Sequence, residues 1–436
     1  NLSIDRMFIL NTTASGIQGT TTVNFSFTNG RIENSGTGGG AQTSNIAFNT
    51  DSAGTENNVS GTFTVTGCTL LNAFFHGISV KNFNGTLSSV NVSNNTITSA
   101  TTIANSKGHG IQFNAFGTSP GGVTTASITG ATINLNTITN FPSDSGIQVI
   151  GGNAVEGGAS STVGTVGTPI NITNNTISGL NATNRIGTQG ILFNVNGTGT
   201  GNFNVSGNSI TNTVGNSISH NVFGDAVVTS VIHNNTVVKG DTANTLATSG
   251  IVGGTSFTTG FATNTPSLTV TITNNNISQT DGNGILMVAR DNATGSLNIS
   301  VKNNTVAAPL GGVRPGIRVD AGNATGDNDV CLDMTGNTSA GSGGSQGLGL
   351  RKQGTSTTIN AFGVEGMAAT ATPGVEAYVA GLNPAGGGVL LISATSGFTN
   401  CGSAPLSLPV ETGERNSAPQ SEAEDSASLS PEIRQW

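Results

Sequence analysis

Two short segments of the chain supply side chains that could take part in hydrolysis. Asn49-Thr50-Asp51 supplies a carboxylate, and Gly108-His109-Gly110 supplies an imidazole. Inverting hydrolysis of a glycosidic bond needs two carboxyl groups about 6.5–9.5 Å apart, and Asp51 alone does not supply them. Asp51 and His109 are therefore catalytic candidates without a second acidic partner, and we predict no catalytic site.

Two other groups of side chains are candidates for metal binding. His76 and His109 each precede a Gly-Ile pair and could stack on adjacent coils near Asp51, but a metal usually needs at least three ligands. Carboxylate oxygens suit calcium, and Arg314 and Arg318 lie close in sequence to four aspartates. The calcium candidates are Asp320, Asp327, Asp329 and Asp333. Calcium is the one cofactor that the sequence leaves open.

A repeated unit must position these residues. An apolar residue preceded by Asn-Asn-Thr or a variant recurs from Ile97 onward, with weaker copies at Ile32 and Leu70, at a mean interval of about 34 residues. Each unit adds a Gly-Ile run such as Gly110-Ile111-Gln112-Phe113 and an alternating run such as Val90-Asn91-Val92. Three short strands per unit predict an all-β solenoid, a parallel β-helix of about ten coils.

In eight successive units an asparagine lies two residues before the apolar (anchor) position, whereas Gly30 and Cys68 occupy this column in the first two units. Asparagine tolerates the left-handed backbone conformation that a sharp bend between strands needs. At a coil spacing of about 4.8 Å, equivalent amides can also hydrogen-bond along the axis. We therefore predict a structural asparagine ladder. Its members are Asn95, Asn136, Asn175, Asn208, Asn235, Asn275, Asn304 and Asn337.

On these motifs the chain resembles the right-handed parallel β-helix proteins, which include pectate lyases and repetitive bacterial surface proteins of the adhesin type. The resemblance covers roughly residues 20 to 350 and implies fold much more than function. It extends to polygalacturonases only through Asn49-Thr50-Asp51 and Gly108-His109-Gly110, because their Asp-Asp pair and Arg-Ile-Lys segment have no counterpart here. A likeness to pectate lyases would imply calcium acting with a basic residue.

Composition narrows the class of protein. Only 8% of the residues are charged, and 14 basic residues are scattered over a chain of net charge −8, so we expect no nucleic-acid partner. No apolar run reaches the roughly 20 residues of a membrane span, so we expect no membrane insertion. Cys68 falls in the ladder column as a buried free thiol. Cys331 and Cys401 could pair, but the sequence does not fix their distance.

The pattern divides the chain into three parts. Residues 1–350 form the predicted β-helix, 351–402 a C-terminal capping segment, and 403–436 a disordered acidic tail rich in Pro, Ser, Glu and Ala. The chain starts with a strand-like sequence, so an export signal is expected upstream. Longer loops at about 114–124, 150–168 and 253–266 all follow Gly-Ile strands and should emerge on one side of the helix.

Two classes of function remain open from the sequence. The first is a non-catalytic extracellular or cell-surface segment of a larger bacterial protein, whose loops contact a glycan or a cell-surface protein. The second is a secreted polysaccharide lyase or glycoside hydrolase, or a glycan-binding module, on the same scaffold. An enzyme would bring two or three carboxylates and a basic side chain together in a groove. The sequence does not determine the oligomeric state.

Overall fold

The computed structural model describes fourteen segments of the chain. They are residues 1–38, 43–50, 56–99, 108–117, 124–152, 160–181, 184–242, 248–255, 265–290, 294–322, 327–353, 361–367, 374–393 and 398–401. Their strands form three parallel sheets, each built from one strand per coil in most coils. The predicted all-β parallel β-helix with an asparagine ladder is confirmed.

Sheet A contains fifteen strands. Its side chains alternate between core and surface, as a sheet with one buried face requires; in Phe203-Asn204-Val205, for example, Phe203 and Val205 are buried. The strands are Leu2–Asp5, Thr22–Thr28, Val59–Thr66, Gly85–Ser93, Ala126–Ile128, Ala131–Asn134, Thr162–Val163, Ile170–Thr173, Thr200–Ser206, Val227–His233, Ser267–Thr273, Thr294–Lys302, Asp327–Thr335, Ala361–Val364 and Thr399–Asn400.

Sheet B contains eleven short strands, and all except Thr338–Ser339, where Ser339 takes the position, carry the apolar residue of a repeat. That residue points into the core, and equivalent residues pair directly, as Ile97 does with Ile138 and Ile138 with Ile177. The strands are Phe8–Leu10, Arg31–Glu33, Thr69–Ala73, Thr96–Ser99, Thr137–Thr139, Thr176–Ser178, Ser209–Thr211, Thr236–Val238, Asn276–Ser278, Thr305–Val306 and Thr338–Ser339.

Sheet C contains twelve strands and includes all the Gly-Ile runs that the sequence predicted as strands. The strands are Ile17–Gln18, Ile46–Phe48, Ile78–Asn82, Ile111–Ala115, Ile147–Gly151, Ile191–Val195, Ile218–Val222, Ile251–Thr255, Ile285–Ala289, Ile317–Ala321, Leu348–Lys352 and Val389–Ser393.

Close packing explains the glycine that precedes most of these isoleucines; Ile46 and Ile218 instead follow Asn45 and Ser217. A Cβ atom at Gly77 would lie 2.3 Å from Ile97 Cγ2, and one at Gly110 would lie 2.4 Å from Ile138 Cγ2. Neither glycine has a positive φ. The glycine is therefore needed for space beside the sheet B isoleucine, whereas the sequence had suggested a tight bend.

The asparagine ladder runs through the turn between sheets A and B. Asn95 Nδ2 donates to Asn136 Oδ1 at 2.9 Å and to the Val65 carbonyl at 2.9 Å, and the Asn95 backbone N–H also donates to Asn136 Oδ1. The same amide-to-amide bond, 2.9–3.0 Å long, joins every consecutive pair from Asn95 to Asn337. Each ladder asparagine is buried, so the ladder satisfies polar groups that water does not reach.

The left-handed conformation at this turn belongs to the column before the ladder. Asn94 has φ 58° and Asn174 has φ 54°, whereas no ladder asparagine has a positive φ. The sequence had assigned both tasks to the ladder residue, and that assignment was wrong. One residue makes the bend and the next provides the amide, which explains why Gly207 and Gly336, with φ 65° and 70°, replace asparagine in the first column.

The C-terminal end of the ladder is closed by a residue outside the repeats. The one described α-helix, Val375–Leu382, ends next to Asn383, and Asn383 Oδ1 accepts from both the backbone N–H and Nδ2 of Asn337 at 2.9 Å. Asn383 Nδ2 donates to the carbonyls of Met334 and Val379. The residue that follows the helix thus ends the ladder with the same amide hydrogen bonds that join the coils.

A disulfide bond fastens the last described strand to the coils. Cys331 and Cys401 pair with a Cα–Cα distance of 5.5 Å, which settles the question that the sequence left open. The bond crosses Gly363 of the intervening strand, where a Cβ atom would lie 3.0 Å from Cys401 Sγ. Cys68 is a buried free thiol, as predicted.

Parallel pairing continues beyond residue 350. Val389–Ser393 pairs with Leu348–Lys352 on sheet C, and Ala361–Val364 pairs with Asp327–Thr335 on sheet A. The predicted tail, 403–436, lies outside the described residues. Within the described segments, no helix has the length and apolar character needed to cross a membrane.

Candidate functional site

The outer face of sheet C is the candidate site because outward side chains there are buried. Ile78 and Val80 point into the core, so Ser79 between them points outward, yet it is fully buried. Asn49 Nδ2 donates to Ser79 Oγ at 3.1 Å, Ser79 Oγ to Gln112 Oε1 at 2.8 Å, and Gln112 Nε2 to Gln148 Oε1 at 2.9 Å. A second polar file thus links four coils on this face.

A cluster of charges lies at the C-terminal end of the same face. Asp320 has no exposed side-chain surface and contacts three guanidinium groups. Arg318 Nε lies 2.7 Å from Oδ1, whereas Arg290 Nη2 and Arg351 Nη2 lie 2.7 and 2.9 Å from Oδ2. These four residues are called the Asp320 cluster below.

Strand register builds the Asp320 cluster from three successive coils. Asp320 pairs with Arg351 of the next coil, and Arg318, two residues before Asp320, is on the same face. Arg290 directly follows Ile285–Ala289, the sheet C strand of the preceding coil. Two strands and one strand end therefore bring the three arginines to one carboxylate.

The electrostatics of the cluster are unbalanced. Burial raises the pKa of Asp320, and the adjacent Arg318 and Arg290 guanidinium groups lower it only in part. With Asp320 ionised, the four described side chains carry a net charge of about +2, since arginine stays protonated. The chain as a whole carries −8, so this charge is opposite in sign to the protein's average.

The calcium candidates do not form one group. Asp320 belongs to sheet C, whereas Asp327, Asp329 and Asp333 belong to the sheet A strand Asp327–Thr335. Asp333 pairs with Lys302 and accepts from Ser300 Oγ at 3.3 Å, and Asp329 is exposed. Among the described residues, no group of three His, Cys, Asp or Glu side chains could hold a metal ion.

The histidine candidates occupy the turn before sheet C. His76 and His109 stack with ring centroids 5.4 Å apart, and both are almost fully buried. The His109 backbone N–H donates to His76 Nδ1 at 3.0 Å, and the Ser145 N–H donates to His109 Nδ1 at 3.3 Å. Each imidazole therefore accepts a hydrogen bond from a backbone N–H of the next coil.

Burial also keeps these imidazoles neutral. It lowers the pKa of His109 to about 3, with a smaller contribution from Lys81, and it lowers the pKa of His76 well below the ordinary value. Asp144 Oδ1 lies 3.2 Å from His109 Nδ1, and burial raises the pKa of Asp144. Asp51, the other catalytic candidate, lies outside the described residues.

A pocket of about 260 Å³ indents the outer surface of sheet A. It forms where strand Gly85–Ser93 pairs with two short strands, Ala126–Ile128 and Ala131–Asn134, that are separated by Thr129-Gly130. Part of the loop predicted at 150–168 reaches this pocket through Gly167 and Thr168. Residues 118–123, 153–159 and 256–264 of the three long loops lie outside the described segments.

The sequence pattern does not predict the convergence on Asp320. It places Arg318 close to the acidic group, but it puts Arg351 in the capping segment and does not indicate Arg290. The signal was present in Gly347-Leu348-Gly349-Leu350, which is one more Gly-Ile-like run. Aligning it with Gly316-Ile317-Arg318-Val319 places Arg351 next to Asp320, as the observed register does.

Fold and site together define an all-β protein of the parallel β-helix class, with polar and charged side chains along the outer face of one sheet. Comparison of the chain with family models, with curated proteins and with solved structures finds no match.

Proposed function

We propose that the chain is a non-catalytic segment of an extracellular or cell-surface protein. In this proposal the β-helix is a rigid support, and the outer face of sheet C with its adjoining loops contacts a glycan or a cell-surface protein. The observation that carries the proposal is the state of two buried carboxylates: the side chains of Asp320 and Asp241 have no exposed surface and are paired with arginine or lysine side chains.

The Asp241 site illustrates this use of charge. Lys239 Nζ lies 2.8 Å from Asp241, and Arg185 Nη2 lies 2.5 Å from it; both Lys239 and Asp241 have no exposed side-chain surface. Lys239 also donates to the carbonyls of Thr213 and Val214. A carboxylate held in this way links neighbouring coils and offers no free oxygen to a substrate.

Two further features support a rigid extracellular role. The ladder bonds every coil from Asn95 to Asn383 to the next through buried amides, which opposes bending and slippage of register. The disulfide between Cys331 and Cys401 is a bond that persists mainly in oxidising compartments.

A polysaccharide panel tests the proposal. The purified chain is incubated with neutral and acidic polysaccharides, with and without calcium, while binding and the release of new chain ends are both measured. We expect binding to at least one polysaccharide without cleavage. Release of reducing or unsaturated ends would instead establish a lyase or a hydrolase and would overturn the proposal.

Matched variants locate the contact surface. Leu192 is outward-facing and half-buried on sheet C, and Thr137 is exposed on sheet B. Leu192→Lys should weaken binding by about tenfold or more if sheet C is the contact face, whereas Thr137→Lys should change it less than about twofold. Equal effects of the two substitutions would contradict the assignment to sheet C.

A further inference from the structure

The Asp320 cluster has more hydrogen-bond donors than it can use internally. A guanidinium group carries about five N–H donors, and a carboxylate offers about four acceptor positions. Three guanidinium groups surround Asp320, and Arg318 contacts it through Nε alone. Within the described segments, the two terminal nitrogens of Arg318 have no acceptor and remain for a ligand.

Arg351 shows the same excess. Its Nη2 lies 2.9 Å from Asp320 Oδ2, and with the Gln353 amide in the orientation that its neighbours favour, Gln353 accepts from Nη1 at 3.2 Å. Its Nε is buried and has no acceptor among the described residues. Buried donors of this kind are uncommon in native proteins, which makes the cluster an incomplete network.

The arginine side chains of the Asp320 cluster lie on its solvent side, because they are partly exposed and Asp320 is not. Asp320 is inaccessible, whereas the side chains of Arg290, Arg318 and Arg351 are 29%, 21% and 15% exposed. The carboxylate lies at the bottom and the three cations lie between it and the solvent. An anion arriving from solution would meet guanidinium groups first and would be separated from Asp320 by them.

We infer that the Asp320 cluster is a binding site for a single oxyanion, a carboxylate or a sulfate ester, carried by a saccharide. Guanidinium groups bind such anions through paired, charge-assisted N–H···O bonds. Asp320 is the positioning residue, because it holds the three side chains together that would otherwise repel one another. The saccharide carrier rests on the proposed function, in which sheet C contacts a glycan.

Titration calorimetry on the full chain tests the inference with four probes: glucuronate, glucose 6-sulfate, inorganic sulfate and glucose. We expect one or both acidic sugars to bind, inorganic sulfate to bind more weakly, and glucose not to bind. Tighter binding of inorganic sulfate than of either sugar, or no binding of the acidic sugars, would overturn the assignment. A glutamate oligopeptide that bound as tightly as the acidic sugars would also overturn it.

Substitutions distinguish a local site from general attraction. Arg318→Gln and Arg351→Gln should each weaken binding by about tenfold, because each removes charge-assisted bonds. Arg31→Gln makes the same change of charge at the other end of the solenoid, where Arg31 pairs with Glu33, and should have less than about a twofold effect. An equal loss in Arg31→Gln would overturn the inference.

Arg318→Lys distinguishes a loss of binding from a loss of folding. It keeps the positive charge beside Asp320 but removes the paired donors, so circular dichroism should stay unchanged while binding weakens. The proposed function and this inference fail separately. Polysaccharide binding that Leu192→Lys abolishes, together with no binding of the acidic sugars, would overturn only the inference. Polysaccharide cleavage together with Arg318-dependent binding of an acidic sugar would overturn only the non-catalytic function.

Discussion

The turn between sheets A and B and the outer face of sheet C use polar side chains in opposite ways. At the turn, one amide repeats from Asn95 to Asn337, and every rung makes the same bonds as its neighbours. On sheet C, the outward position changes from Gln112 and Gln148 to Leu192 and then to Arg318. A side-chain type that repeats in every coil therefore serves the fold, whereas a position whose side chain changes from coil to coil is a candidate for function.

The largest effect should come from breaking the ladder in its middle. Asn175 accepts from Asn136 twice and donates to Asn208 Oδ1 and the Ile133 carbonyl. Asn175→Ala leaves these buried groups without partners, and we expect a loss of about 4 kcal/mol in the free energy of unfolding, measured by urea denaturation. Asn171→Ala, a half-buried sheet A control, should cost less than about 1 kcal/mol. Similar losses would mean that the ladder contributes no more than surface amides.

Removing the carboxylate of the Asp320 cluster should have the next largest effect. Asp320→Ala leaves three guanidinium groups close together and partly buried, so we expect a loss of about 3 kcal/mol in urea denaturation. Glu33→Ala, which breaks the half-exposed pair with Arg31, should cost less than about 1 kcal/mol. Added sulfate should restore part of the loss in Asp320→Ala. Equal stability of the variant and the parent chain would mean that the Asp320 carboxylate does not stabilise the three arginine side chains around it.

The turn before sheet C contributes a pH dependence that the asparagine turn lacks. The pKa of His109 is lowered to about 3 by burial, so below the ordinary histidine pKa the unfolded chain binds a proton that the folded chain does not. Stability is complete above about pH 6.5 and should fall between pH 6 and pH 3 by about 1.4 kcal/mol per pH unit from His109 alone. His109→Gln should make the slope of unfolding free energy against pH shallower by that amount. An unchanged slope would show that His109 does not stay neutral.

The repeated parts of the fold could be predicted from the sequence because their residues share one local environment in every coil. Superimposing the repeats of this one sequence is enough to predict Asn95 and its equivalents. The left-handed residue was misassigned because two asparagines, such as Asn94 and Asn95, often stand side by side. The copies at Gly67-Cys68 and Gly207-Asn208 contained the answer, since glycine there falls in the column that needs a positive φ.

The non-repeated parts could not be predicted in the same way. Asn383 follows a helix and lies 46 residues after Asn337, so no local pattern identifies it as the last member of the ladder. The Asp320 cluster depends on register across coils whose loops differ in length. A charged residue on one strand acquires its partner only when the adjacent coil is placed, and spacing along the chain does not give that placement.

Substitution at the end of the asparagine ladder should have the smallest effect on stability. Asn383 accepts from Asn337 as Asn136 accepts from Asn95, but it lies at the end of the ladder, where no further rung follows among the described residues. The side chains of Asn383 and Asn175 each make four hydrogen bonds. Asn383→Ala should nevertheless cost about 1–2 kcal/mol, less than Asn175→Ala, because at the end of the ladder water can replace some of the lost bonds. Hydrogen exchange measures this directly: the Asn337 N–H should exchange faster in Asn383→Ala, while the Asn136 N–H should keep its protection. Loss of protection along the whole ladder would instead mean that the helix cap supports every coil.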